Sequence, residues 1–307
     1  MSTYLAASGP ARVPRPRQTA AMDIGVVFPQ TELGNDLGAV RAIGEATASL
    51  GYSHLAAYDH VLGADIKVHG DLGGPYTIDD PFREPLTMFA YLAGITDLGF
   101  ATSVLIGPQR QTALLAKQAA EVDILSGGRF RLGLGVGWNK VEYDVLGMPF
   151  ERRGDLLEEQ VAVLRALWTT PNVTFDGEFH HIRAAGIAPL PVQRPIPIWI
   201  GAHSPAALRR VGRVADGWFP QFRPRGGLED ALEIIRAAAA EVGRDLSNFG
   251  LEGRLEYRVR DPEKIVEHVG RWREAGATHL SVITMHAGLT TVDAHIRALR
   301  EMAEILL

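Results

Sequence analysis

From Met22 to the end of the chain, short β-like apolar runs alternate with longer helix-like segments. The runs are Ile24–Phe28, Ser53–Tyr58, Phe100–Ile106, Phe130–Val136, Ile198–Ile200, Gly217–Phe219, Phe249–Leu255 and His279–Met285. Their length and apolar character fit buried strands. Helices are predicted at about Leu37–Leu50, Pro85–Thr96, Gln111–Leu125, Arg152–Trp168, Pro205–Ala215, Leu228–Val242 and Pro262–Ala275, with a last one ending at Leu307. The rhythm breaks once. Asn172–Ile182 reads as a hairpin turning at Asp176-Gly177, and a connector with four prolines follows, Pro189 to Pro197.

Repeated strand–helix units imply a parallel sheet. Eight of them fit a closed (β/α)8 TIM barrel, an α/β fold, with an insertion between strands four and five. An open doubly wound sheet competes, but it usually shows a glycine fingerprint after its first strand. Here that strand runs into Phe28-Pro29-Gln30. The expectation is one barrel domain over residues 22–307. Residues 1–21, with three arginines, three prolines and no acid, read as a disordered extension.

Composition narrows the chemistry. The chain has 307 residues, 46% of them hydrophobic, and a formal charge of −5. No basic patch points to nucleic acid, and no apolar run approaches the length of a membrane span. With no cysteine, thiolate nucleophiles and zinc–thiolate centres are excluded. The expected setting is the cytoplasm and the expected ligand a small molecule. Glu178, His180 and His181 sit on a predicted hairpin, where neighbours face opposite ways, so no metal site is expected there.

A barrel places function at the carboxyl ends of its strands. Strand four carries Gly133, Gly135 and Gly137 between Leu132, Leu134 and Val136, then ends in Trp138 and Asn139. Alternation leaves one face apolar and the other bare, where a backbone or a flat ligand can come close. Asp59-His60 ends strand two and can orient a ring or move a proton, or simply cap a loop. After strand five, Gly201-Ala202-His203-Ser204-Pro205 offers a helix start with Ser204 as cap and Pro205 in the first turn. Such an end attracts phosphate; an ordinary capped helix is the plainer alternative.

Four stretches together resemble a known family. They are Tyr58-Asp59-His60; Ala101-Thr102-Ser103-Val104 with Pro108; Leu125 through Trp138 to Glu142 and Gly147; and Pro197 through Ser204 to Trp218. In this order they are similar to the luciferase-like monooxygenase superfamily, and within it to coenzyme F420-dependent oxidoreductases. The resemblance spans nearly all of residues 22–307. It implies a TIM barrel with an insertion after strand four and a flavin or deazaflavin in the barrel mouth. It places Ser103-Val104 as a strand-three bulge behind the ring, with a non-proline cis peptide. It puts Asp59 and His60 near ring and substrate, Gly135, Gly137 and Asn139 on the strand-four wall, and Gly201, Ala202, His203 and Ser204 at the phosphate-bearing tail.

The expected activity is hydride transfer between F420 and a small organic substrate. His60 is the expected proton donor, with Asp59 holding ring or imidazole, and Phe28 and Trp138 walling the pocket. Two alternatives stand: an FMNH2- and O2-dependent monooxygenase with FMN as its cofactor, and a non-catalytic flavin-binding barrel. A homodimer is expected, and with it a separate F420 or flavin reductase as partner. Related sugar-phosphate dehydrogenases carry a catalytic glutamate where Trp138 stands here, so a sugar phosphate is not the expected substrate.

Overall fold

A computed structural model describes residues 22–33, 36–222, 224 and 226–307. The expected extension at residues 1–21 lies outside them. Eight strands form the frame: β1 (Asp23–Val27), β2 (His54–Ala57), β3 (Gly99–Thr102, resuming at Leu105–Ile106), β4 (Phe130–Gly135), β5 (Ile198–Ala202), β6 (Gly217–Pro220), β7 (Gly250–Glu256) and β8 (His279–Ile283). Each pairs in parallel with its neighbours in sequence, and β1 pairs with β8 through Asp23–His279 to Val27–Ile283. The sheet is therefore a closed (β/α)8 barrel. Among the described residues no helix is long and apolar enough to cross a membrane.

Strand alternation sorts the side chains into two cores. Outward residues, among them Val26, Leu55, Phe100, Leu132 and Leu134, join the helices in one large apolar cluster. Inward residues Val27, Ala56, Ala101, Trp199, Phe219 and Met285 fill the barrel, with Tyr58, Val104 and Ile283 packed against them. The same alternation corrects one expectation. Phe28 is 1% exposed and belongs to the outer core, so it does not wall a pocket.

The glycines of β4 face inward, as the bare-face pattern predicts, but protein atoms take the space. A Cβ on Gly133 would lie 1.8 Å from the Thr102 carbonyl oxygen and 2.7 Å from Phe219. On Gly135 it would meet Val104 at 2.5 Å, and on Gly137 Ile106 at 2.9 Å. The bare face thus receives the interrupted third strand, whose Ser103–Val104 peptide is cis. Gly133→Ala forces backbone apart and is expected to lose about 3 kcal/mol, at the upper end for overpacking. Equilibrium urea unfolding measures this; a variant as stable as the parent would contradict the close approach.

The insertion is a hairpin of Val173–Asp176 and His181–Ala185, but Asp176-Gly177 is not its turn. Asp176 pairs with His181, which leaves a four-residue loop. That loop wraps a carboxylate. Glu159 accepts the amides of Glu178, Phe179 and His180 at 2.7–2.9 Å and binds the His180 ring at 2.7 Å. Three amides converging on one half-buried carboxylate outweigh the local turn preference. His180 also bonds Thr112, His181 bonds Asp176, and Glu178 pairs with Arg152.

Candidate active site

The carboxyl ends of β2, β3 and β4 meet on one side of the barrel mouth. His60 leaves β2 into a loop whose aromatic residues close around it. Its ring lies 4.8 Å from Phe82, 5.2 Å from Tyr76 and 5.5 Å from Trp138, measured between centroids. The loop packs on Trp138 at Gly74, where a Cβ would fall 2.2 Å from the indole. A cavity of about 130 Å³ opens beside His60, Tyr76 and Phe82. Trp138, expected as a pocket wall, packs on His60 and is not among the residues that line this cavity.

The carboxylate facing His60 is Glu142, 3.6 Å from Nδ1 and 1% exposed. Its other contacts hold it there. Oε1 accepts the Val61 and Leu62 amides at 2.6 and 3.2 Å, and Oε2 accepts Gln109 at 2.9 Å. Burial alone would raise the Glu142 carboxyl. The close His60 ring and its charge, the Gln109 hydrogen bond and the Val61 amide outweigh that and hold it below the ordinary range. Glu142 is therefore an anion at neutral pH. It sits on a short helix, Lys140–Val145, which Asn139 caps by accepting the Glu142 amide at 3.3 Å. Sequence reading missed its role. The signal was Asn139-Lys140-Val141-Glu142, a cap residue and a glutamate at capping-box spacing, although here the glutamate reaches the β2 loop instead.

Asp59 is a correction. It is 3% exposed, accepts the Ile106 amide at 3.0 Å and takes a two-pronged bond from Arg110 at 2.7 and 2.8 Å. Both oxygens are committed to tying β2 to the end of β3, so the imidazole is held by Glu142 and not by Asp59. Asn139 is likewise turned inward, 1% exposed, with its amide reaching the Leu62 carbonyl at 3.5 Å. Gly135 is buried behind Val104, whereas Gly137 is half-buried and packs against Ile106.

What the mouth presents is Val104, half-buried, steadied by Gly201, where a Cβ would come within 3.0 Å of it. Ser103 beside it is 7% exposed. Beyond Gly201, Ala202 is buried and His203 and Ser204 are exposed. Ser204 caps the helix Pro205–Val214, accepting the Ala207 amide, with Pro205 in its first turn. Arg213 is bound to Glu158 at 2.6 Å and is not directed to this end; Arg209 is exposed. A half-exposed apolar floor at Val104 and a helix start with exposed residues nearby fit a planar ring with an anionic tail.

A profile described as luciferase-like monooxygenase matches residues 17–291. An uncharacterized protein of Mycobacterium tuberculosis is 32% identical over 292 residues, covering 90% of this chain and 97% of that protein. An FMNH2-dependent dimethylsulfone monooxygenase of Pseudomonas putida is 33% identical over 172 residues, 55% of this chain and 47% of its own length. Among solved structures, an F420-dependent secondary alcohol dehydrogenase in complex with an F420–acetone adduct superposes with a TM-score of 0.75 at 16% identity, covering 94% of this chain and all of that one (100%).

Proposed function

This chain belongs to the luciferase-like monooxygenase family and is an oxidoreductase, and we propose that it works with coenzyme F420, passing a hydride between that deazaflavin and a small organic substrate. The observation that carries the proposal is the His60–Glu142 pair inside an aromatic cage beside the Val104 floor. Hydride transfer at a carbon–oxygen centre needs one proton moved per hydride, and a caged imidazole with a buried anionic partner is built for that. When bound, the cofactor supplies the hydride chemistry.

The protein's own residues supply the rest. Val104, backed by Gly135 and Gly201, would support the ring face. Gly201, Ala202, His203 and Ser204 would receive the tail at the start of the helix Pro205–Val214. Glu142 fixes the Nδ1 side of His60, which leaves Nε2 to exchange a proton with substrate. Trp138, Tyr76 and Phe82 keep water from that exchange. A homodimer and a separate reductase that recycles the cofactor belong to the same reading, as does a cytoplasmic setting.

Titration of the purified protein with F420 and with FMN tests the cofactor. The expected outcome is micromolar F420 binding. Micromolar FMN binding without F420 binding, together with O2 consumption on addition of reduced FMN, would replace the proposal with the monooxygenase reading.

A further inference from the structure

Toward the carboxyl end of the barrel stands a group of hydrogen-bond donors with few protein partners. Alternation on β7 sends Leu255 to the outer core and Arg254 into the barrel. The Arg254 guanidinium lies 5.9 Å from the centre of the Tyr58 ring, and its one side-chain hydrogen bond among the described residues is to Gln221 Oε1 at 3.4 Å. It acts electrostatically on both Tyr58 and Tyr76. Neither tyrosine hydroxyl has a hydrogen-bond partner among the described residues. Burial pushes both phenols up, so both remain O–H donors at neutral pH.

Nearby carboxylates are committed elsewhere. Glu252 serves Arg131 and Ser281, Asp80 serves Thr77, and Glu32 serves Thr31 and the His286 amide. Glu256, at the end of β7, is exposed to solvent. A guanidinium fork and two phenols, all half-buried, form a set of donors that no protein carboxylate meets among the described residues. We infer that Arg254, Tyr58 and Tyr76 form a subsite for a carboxylate, so that the substrate is a small organic acid. The fork geometry of Arg suits a carboxylate. Tyr76 stacks edge-on against His60 at 5.2 Å, which sets the subsite one side chain from the proton donor. The place of this subsite in the reaction rests on the F420 reading; the binding itself does not.

The test is calorimetric titration of the full chain, without cofactor, using benzoate, its neutral isostere benzamide, and inorganic phosphate. Benzoate is expected to bind and benzamide at least tenfold more weakly. Arg254→Gln is expected to weaken benzoate about tenfold or more, a change of about 1.4 kcal/mol, with Arg254→Lys intermediate and Tyr58→Phe reduced. Should Arg254→Gln not fold, the lysine and phenylalanine variants carry the comparison. No benzoate binding, equal affinity for benzoate and benzamide, no change in the variants, or tighter binding of phosphate than of benzoate overturns the assignment. Intact F420 binding alongside such a result removes the subsite alone; benzoate binding without F420 binding removes the cofactor reading alone.

Discussion

His60→Ala is expected to lower turnover by roughly 10²–10⁴-fold, the usual contribution of a positioned acid or base. The imidazole is held on three sides by aromatic rings and on its Nδ1 side by Glu142. Among the described residues no second histidine stands in that cage to replace it. The alanine variant removes the donor and leaves the Val104 floor in place, so cofactor affinity is expected to change little while kcat collapses. Single-turnover and steady-state kinetics with the bound cofactor separate the two. Turnover within a factor of two of the parent would rule out the acid role. The partner sets the pH behaviour. Glu142 titrates below the ordinary glutamate value, about 4.3, so its support is present above that value and lost as pH falls through the lower folded one.

Glu252→Ala is expected to cost roughly 3–5 kcal/mol of stability, the loss seen when one member of a buried ion pair is removed. Glu252 is 2% exposed at the amino end of the barrel interior. It binds Arg131 at 3.0 Å, Ser281 at 2.5 Å and His54 at 3.3 Å. Without it the Arg131 guanidinium is left stacked on Trp199, 4.5 Å from the ring centroid, with no anion. Burial favours the neutral acid, yet the Arg131 charge and the His54 contacts outweigh it and hold Glu252 far below the ordinary range. Its folded value is lowered, so its stabilisation is complete above about pH 4.3 and drains away in acid. Denaturant unfolding at pH 7 and at about pH 2.5, well inside the window between the unfolded and the lowered folded value, measures both effects. A variant whose stability and acid sensitivity match the parent's would show that the network contributes nothing net.

Local patterns are where the sequence was most legible. All eight strand runs form barrel strands, because a run buried on both faces needs only apolar residues and short length. Ser204 and Pro205 start a helix because capping depends on neighbours a few residues apart. The hairpin turn misled for the opposite reason. Its shape is set by Glu159, which belongs to the helix Arg153–Thr169.

The site divides in the same way. His60 was legible as a polar residue at a strand end. Asp59 beside it looked equivalent, and its commitment to Arg110, 51 positions away, could not be read from local spacing. Glu142 was visible only as the nearest acid after the glycines. Val61, Leu62, Gln109 and His60, which define its role, arrive from two other strand ends.

The sequence by itself determined the barrel, its insertion and the end at which chemistry gathers, since these follow from hydrophobic period and strand–helix alternation. Which carboxylate faces the imidazole, and what fills the bare face of β4, only the tertiary structure decided. Those are contacts between residues far apart in the chain, and a hydrogen bond or a close approach depends on distance in space, which no local pattern encodes.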